Sequence, residues 1–341
     1  MAQGSMAQDS DQIQKVQKQL HWFSIGVASC VLLLITAGGL VNSAGAGLSV
    51  PDWPTTYGEN MFLFPLHKWK GGIVYEHGHR LLASLVGFFI VLQFLGVWIV
   101  ERQPERRWVR YLSLAAVGAV IVQGILGGLT VLYQLPPEIS ISHSLLAELL
   151  FLLTILLAVV TDPRFPRREV QPVRISGQWQ KFLGVIVVAL FIQIFLGALT
   201  RHTHSGLAIP DFPLAYGALV PEFSDYHITI HYIHRVGALI VGILILIASW
   251  KLWRHRAELP RLRLPAIMLS VLLGVQILLG GGVVWSYRDI LITTLHVGVG
   301  AAMLGLSFLQ YLLFRFYYAP DNASEMAVAA TDYKTVVADA K

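Results

Sequence analysis

Eight stretches of predominantly apolar residues, each about 20 residues long, dominate this sequence. They run at roughly 21–42, 74–99, 109–134, 140–160, 180–200, 228–250, 264–285 and 290–314. A helix of about 20 apolar residues crosses the core of a bilayer. A content of 55% hydrophobic and 13% charged residues is too apolar for a soluble chain of 341 residues. We therefore predict an all-α integral membrane protein with eight transmembrane helices.

Polar segments flank the apolar ones. Residues 1–20 form a polar leader that lacks a short apolar core followed by a small-residue cleavage site. We therefore interpret the first apolar stretch as a retained helix and not as a signal peptide. Residues 161–179 are predicted to form a cytoplasmic linker between two halves at 21–160 and 180–316, and residues 317–341 to form a flexible tail.

Basic residues cluster in alternate loops. Positively charged loops stay on the cytoplasmic side of a membrane, so both termini are predicted to be cytoplasmic. The net charge of +5 follows from this bias and gives no case for nucleic acid as a partner. The basic residues after helices 2, 4 and 6 are Arg102, Arg106, Arg107, Arg110, Arg164, Arg167, Arg168, Arg174, Lys251, Arg254, Arg256, Arg261 and Arg263.

The second half of the sequence repeats the first. GGLVNSAGAGLSVPDWPTTYG from Gly38 matches GALTRHTHSGLAIPDFPLAYG from Gly197 at an offset of 159, and QGILGGLTVL from Gln123 matches QILLGGGVVW from Gln276 at an offset of 153. An even number of helices in each half makes both halves enter the membrane in the same direction. We predict two tandem four-helix bundles related by a pseudo-twofold axis along the membrane normal.

Four histidines occupy repeat-equivalent places in apolar helices: His79, His143, His234 and His296. An imidazole in a transmembrane helix is costly and tends to be functional, and a neutral imidazole binds heme iron axially. A closed zinc site needs four ligands, whereas each half supplies two histidines, and the single cysteine, Cys30, lies inside helix 1. The pairs His79 with His143 and His234 with His296 therefore predict one bis-histidine heme site in each half, near the outer leaflet.

Other residues of these helices have two interpretations. The glycines of Gly38-Gly39, Gly127-Gly128 and Gly280-Gly281-Gly282 allow the close approach of a flat ligand or of another helix, and by themselves they favour plain helix packing. Three buried amides, Gln123, Gln193 and Gln276, need partners in neighbouring helices. Glu148 is predicted to face away from His143 and to be structural.

At these residues the sequence resembles the heme A synthase family. The resemblance covers about residues 20 to 315. It rests on Glu76-His77-Gly78-His79-Arg80 at the start of helix 2, on His231-Tyr232-Ile233-His234-Arg235 at the start of helix 6, on the GLS and GLA segments after helices 1 and 5, and on the single histidines of helices 4 and 8.

This resemblance implies a reaction and two hemes. The methyl group at ring position 8 of heme O would be oxidised to a formyl group by successive hydroxylations, giving heme A for cytochrome oxidase. His79 and His143 would hold the iron of the substrate heme O in the N-terminal half, and His234 and His296 would hold a permanent heme b in the C-terminal half. The implied location is the bacterial cytoplasmic membrane, with both heme sites toward the outer face. The candidate partners are a heme O synthase, an electron donor, membrane lipid and further copies of the chain.

One residue distinguishes the two halves. Glu76 stands three residues before His79, so both face the same side of the helix, and the repeat-equivalent residue is His231. A carboxylate there can relay a proton or stabilise developing positive charge, which places Glu76, His79 and His143 in the catalytic half. The alternative is an interfacial glutamate that pairs with Arg80 or is solvated.

The arginines and the outer loops also keep two interpretations. Arg80 and Arg235 either bind heme propionates or anchor at lipid headgroups. The repeated Pro-Asp-aromatic-Pro segments of the loops after helices 1 and 5 form either a lid over each heme edge or a rigid cap. His202 and His204 are predicted to be ordinary exposed residues. Some family members carry a cysteine pair in the first outer loop, and this chain has none there.

A second function is compatible with the same motifs. A diheme electron-transfer cytochrome would hold two permanent b-type hemes and change no substrate. The replacement of Glu76 by His231 in the second half argues against it, because a chain that only carries electrons does not need an acid in one half.

Overall fold

The computed structural model describes residues 2–173 and 178–320. Within these residues eight helices are long and apolar enough to cross a membrane, which confirms the predicted number and class. They are α1 (Ala2–Ser43), α2 (Gly72–Val100), α3 (Arg107–Leu132), α4 (Pro137–Val160), α5 (Gln178–His202), α6 (Tyr226–Arg254), α7 (Pro260–Trp285) and α8 (Ile290–Tyr317).

Local sequence explains where several helices begin. The side chain of Asp225 accepts the backbone N–H of His227 at the start of α6, and that of Asp289 accepts the N–H of Ile292 at the start of α8. These are the short polar acceptors that the free amides of a first helical turn require. Helices α4 and α7 begin with proline, whose missing N–H costs nothing at that position.

Regular secondary structure continues outside the apolar stretches. Helix α1 begins at Ala2, so most of the predicted polar leader is helical, and the segment apolar enough to cross a membrane begins at Gln14. In the linker, β1 (Gln171–Val173) pairs in parallel with β2 (Tyr318–Pro320) at the start of the predicted tail. Residues 174–177 of the linker and 321–341 of the tail lie outside the described residues.

Each set of four helices packs as a ring. Helix α1 contacts α2 and α4, and α3 contacts α2 and α4; in the same way α5 contacts α6 and α8, and α7 contacts α6 and α8. The two sets meet where α1 packs on α8 and α4 on α5. A methyl group on Gly39 of α1 would lie 3.2 Å from Val297 of α8, so small residues permit this close crossing. The axis that relates the halves stays a prediction.

The two long loops after α1 and α5 are built by the same contacts at the repeat offset. The carboxylate of Asp52 accepts the N–H groups of Tyr57 (2.7 Å) and Gly58 (2.8 Å), and the Tyr57 hydroxyl donates to the Ser49 carbonyl (2.5 Å). In the second loop Asp211 accepts the N–H groups of Tyr216 and Gly217, and the Tyr216 hydroxyl donates to the Ala208 carbonyl. Trp53-Pro54 and Phe212-Pro213 are cis peptide bonds. These loops are ordered by their own side chains.

Candidate functional site

The four repeat-equivalent histidines, His79, His143, His234 and His296, each pack the imidazole ring against a glycine of the preceding helix. A methyl group added to any of the four glycines would lie 3.1 to 3.2 Å from Cε1 of the facing ring, closer than nine in ten real contacts of a Cβ atom. The pairs are Gly38 with His79, Gly127 with His143, Gly197 with His234, and Gly280 with His296. These four glycines therefore give each histidine ring the space that it occupies between the two helices. Whether a flat ligand also uses this space stays a prediction.

The two histidines of the second half face each other. The ring centroids of His234 and His296 lie 6.5 Å apart, and their planes are inclined by 81°. Two imidazoles that bind one metal ion, each through a bond of about 2 Å, have ring centres roughly 6 to 7 Å apart. The spacing therefore fits one iron held axially by two imidazoles.

The ring nitrogens also suit an axial ligand. Within the described residues, Nδ1 of His79, His143 and His296 is buried and has no hydrogen-bond partner. A buried polar atom normally has a partner, and two imidazole donors without thiolates match the donor set of a bis-histidine heme. All four histidines fit heme iron on chemistry, and the pair His234 and His296 fits it on spacing as well.

Glutamines accompany three of the four histidines. The Gln193 side-chain amide donates to the backbone carbonyl of His234 at 2.8 Å, and its nitrogen lies 3.0 Å from His234 Nδ1. The Gln123 amide donates to the His143 carbonyl at 2.9 Å and lies 3.4 Å from His143 Nε2. The amide of Gln276 lies against Gly300, one turn beyond His296. The predicted partners of these buried amides are therefore the helices that carry the histidines.

Glu76 is buried, with 3% of its surface exposed, and both of its oxygens have partners. Oε1 accepts from the Arg80 guanidinium at 2.6 Å, and Oε2 accepts the N–H of Val50 in the first loop at 2.7 Å. The pairing with Arg80 is the contact expected for an interfacial glutamate, but the burial is not that of a solvated one. The catalytic role of Glu76 stays a prediction.

His231 occupies the same place in the second half. Its Nδ1 accepts the N–H of Ile209 in the second loop at 3.2 Å, and its Nε2 lies 3.2 Å from Nε of Arg235. Ile209 is the repeat equivalent of Val50 at the offset of 159. Glu76 and His231 thus hold their loops by matching bonds, and they differ in charge and proton chemistry.

The two arginines bind the loops. Arg80 donates to the carbonyls of Val50 (2.8 Å), Asp52 (2.7 Å) and Thr55 (3.1 Å) as well as to Glu76. Arg235 donates to the carbonyls of Ile209 at 3.1 Å and Leu214 at 2.9 Å. Both guanidinium groups are thus bound to backbone carbonyls of the loops. Contacts of Arg80 and Arg235 with heme propionates or lipid headgroups stay predictions.

The loops reach the glycines beside the histidines. A methyl group on Gly128 would lie 2.5 Å from the Trp53 indole, and one on Gly281 would lie 2.9 Å from the Phe212 ring. Gly127 and Gly280, which face His143 and His296, are their immediate neighbours in sequence. Each glycine pair therefore touches a histidine with one residue and the loop aromatic with the other.

One buried histidine of α2, His77, was not interpreted from the sequence. His77 is fully buried, lies 3.1 Å from the Thr56 hydroxyl through Nδ1, and packs edge-on against Trp69. Glu148 is buried, and within the described residues its Oε2 has no hydrogen-bond partner. The structure shows His204 exposed, as predicted, but His202 is partly buried at the end of α5, so the prediction of an exposed His202 is wrong. The spacing of four residues from glutamine to glycine is the sequence signal that identifies the glutamines.

The sequence has relatives of known family. The profile of a family described as Cytochrome oxidase assembly protein matches residues 21–308. Three similar proteins carry the name Heme A synthase. That of Shouchella clausii is 28% identical over 80% of this chain and 88% of its own length, that of Geobacillus kaustophilus 25% over 91% and 96%, and that of Shewanella oneidensis 29% over 88% and 97%.

Proposed function

This chain belongs to the heme A synthase family of cytochrome oxidase assembly proteins, and on that premise we propose that it converts heme O into heme A. The methyl group at ring position 8 of heme O would be oxidised to a formyl group by successive hydroxylations. Heme O is then the substrate in the N-terminal half, and a heme b is the resident cofactor in the C-terminal half. Heme iron supplies the oxidative chemistry when bound.

Paired histidines would hold both hemes. His234 and His296 would hold the resident heme, which their centroid distance of 6.5 Å supports. His79 and His143 would hold the substrate, and their buried Nδ1 atoms and their glycine contacts support this role. The glycines fix each ring in position, since a larger residue would displace it.

Glu76 is the reason why we assign the oxidation of heme O to the N-terminal half. The two halves share their histidines, glycines and loop contacts, but the first has a carboxylate where the second has an imidazole. A carboxylate one turn from His79 can accept a proton or stabilise positive charge on the substrate. Arg80 orients that carboxylate through the bond at 2.6 Å.

The setting of this reaction is the cytoplasmic membrane of a bacterium. Eight apolar helices make the chain a multi-pass membrane protein, and the three relatives named above are bacterial. We propose cytoplasmic termini, heme sites toward the outer face, and a heme O synthase, an electron donor and further copies of the chain as partners within the membrane lipid.

A replacement taken from the chain itself tests the role of Glu76. The Glu76→His variant places the residue of the second half in the first, where its single acceptor nitrogen can still accept the Val50 N–H, as His231 accepts that of Ile209. It is expressed with a heme O synthase in cells that lack heme A, and the extracted hemes are separated by chromatography. We expect heme O to accumulate without heme A, while the heme b of the C-terminal half is retained.

Glu76→Ala and the wild-type chain complete this experiment. Glu76→Ala should also stop conversion, but with a less stable first loop because Val50 and Arg80 lose their acceptor. Heme A formed at the wild-type rate by Glu76→His would remove the carboxylate from the mechanism. Heme b alone at two per wild-type chain would instead identify a diheme electron-transfer cytochrome.

A further inference from the structure

Three of the four histidine-bearing helices face the same pair of residues on the preceding helix. A glutamine stands four residues before the glycine that touches the ring: Gln123 before Gly127, Gln193 before Gly197, and Gln276 before Gly280. Residues four apart lie on one face of a helix. Each glutamine is therefore one turn from the ring contact, on the side that faces the histidine-bearing helix.

The fourth helix breaks this pattern. In α1 the residue four before Gly38 is Leu34, and it is the repeat equivalent of Gln193 at the offset of 159. Leucine neither donates nor accepts a hydrogen bond. Within the described residues, Nδ1 of His79 is buried without a hydrogen-bond partner, as is Nδ1 of His143 and of His296, and His79 is the one of the four that has leucine in place of the glutamine on the preceding helix.

A ligating imidazole is normally held by a partner on its second nitrogen. That partner fixes the orientation of the ring and strengthens the bond to the metal. A glutamine amide offers both a donor and an acceptor. The amide nitrogens of Gln123 and Gln193 lie 3.4 and 3.0 Å from a ring nitrogen of the facing histidine and donate to the backbone carbonyl of that histidine. Each of these glutamines therefore holds the histidine in place on its helix, which leucine cannot do.

We infer that His79 is the releasable ligand of the substrate heme and that Leu34 sets this property. A resident cofactor needs two firm ligands, and His234 and His296 each have a glutamine of the preceding helix beside them. A substrate must enter and leave, so one of its two ligands has to be weaker. His143 keeps Gln123 and orients the macrocycle, and His79 lacks an equivalent partner. This inference rests on the proposed function, because it assigns the exchanging heme to the N-terminal half.

Leu34→Gln tests the inference, with Leu34→Met as the matched apolar control. Full-length protein purified after expression with a heme O synthase is mixed with excess apomyoglobin, and heme transfer is followed by absorbance. The extracted hemes identify which site is emptied.

The wild-type chain should release heme in two phases, the faster one from the N-terminal half. Leu34→Gln should slow the fast phase by roughly three- to tenfold, the effect of one added buried hydrogen bond, and Leu34→Met should leave it unchanged.

Gln193→Leu provides the converse test in the other half and does not depend on the folding of Leu34→Gln. It should speed the slow phase by a similar factor. In the N-terminal half, Leu34→Gln should also raise the fraction of six-coordinate, low-spin heme, which a change in packing alone does not do.

A single release phase in the wild-type chain, or equal rates for Leu34→Gln and Leu34→Met, would overturn the inference. Transfer rates are measured without turnover, so they separate this inference from the proposed function. Release in two phases with heme b in both sites would contradict the assignment as a heme A synthase. It would still support the inference that His79 is the weaker of the two ligands in the N-terminal half.

Discussion

Gly38 and His79 lie so close that no side chain fits between them. A methyl group on Gly38 would be 3.2 Å from Cε1 of the His79 ring, and the same contact recurs at the other three helix histidines. The absence of a side chain thus sets the position of each imidazole. In a packed interior a neighbour must move when a methyl group is added at this distance.

Gly38→Ala is expected to displace His79 and reduce the heme content of the N-terminal half, while the C-terminal half keeps its heme. Gly197→Ala should have the reverse effect through His234. Heme per chain is measured by pyridine hemochrome absorbance, and extraction identifies the heme that is lost. Gly118→Ala is the control, because no heavy atom lies within 4 Å of its added methyl group. Full heme content in Gly38→Ala would contradict the steric role.

Arg80→Ala should destabilise the protein more than Arg235→Ala. Arg80 neutralises the buried carboxylate of Glu76, and removal of one partner of a buried ion pair costs about 3 kcal/mol. The side chain beside Arg235 is the imidazole of His231, which carries no negative charge for the arginine to neutralise. Thermal unfolding in detergent should therefore show a lower Tm for Arg80→Ala. The double variant Arg80→Ala with Glu76→Ala should recover part of the loss, and equal Tm values for the two single variants would oppose the prediction.

The outer loops should loosen in acid. The backbone N–H of Gly217 holds the pKa of Asp211 below its usual 3.8. Burial raises the pKa of Asp52, but hydrogen bonds from Gly58, Thr55 and Tyr57 outweigh this and lower it. A lowered pKa in the folded state stabilises the loops above about pH 4, and this stabilisation is lost as the pH falls through the folded pKa values.

Pepsin, which is active in acid, measures this change as the rate of cleavage within residues 44–71 and 203–225. We expect that rate to rise more steeply below about pH 4 than the intrinsic activity of pepsin does. Asp211→Asn should remove the pH-dependent part in the second loop, because an amide does not titrate there. The same pH profile in this variant would show that other groups control the loop.

Trp53→Ala should speed heme exchange in the N-terminal half. The indole rests on Gly128, next to the glycine that faces His143, so its removal opens a path beside the ligand. Trp53→Phe reproduces the aromatic residue of the second loop, Phe212, and should exchange heme at nearly the wild-type rate. Transfer to apomyoglobin supplies the measurement. An unchanged rate in Trp53→Ala would favour a rigid cap that does not contact the substrate.

The sequence by itself determined the number of membrane helices, the ligand candidates and the repeated loops. These features depend on local patterns: runs of about 20 apolar residues, single histidines in apolar helices, and the matching segments from Gly38 and Gly197. The sequence did not determine where the helices and strands outside the apolar stretches begin and end. Helix α1 continues back to Ala2, and the pairing of Gln171–Val173 with Tyr318–Pro320 joins strands that are distant in sequence.

Only the tertiary structure decided which residues serve the histidines. Gly38 and Gln193 are ordinary interior helix residues until α2 and α6 are packed against them. The bond from Val50 to Glu76 likewise requires the loop to fold back on α2. The physical reason is that spacing within one helix follows from its own geometry, whereas the face that a neighbouring helix presents depends on packing across the whole bundle.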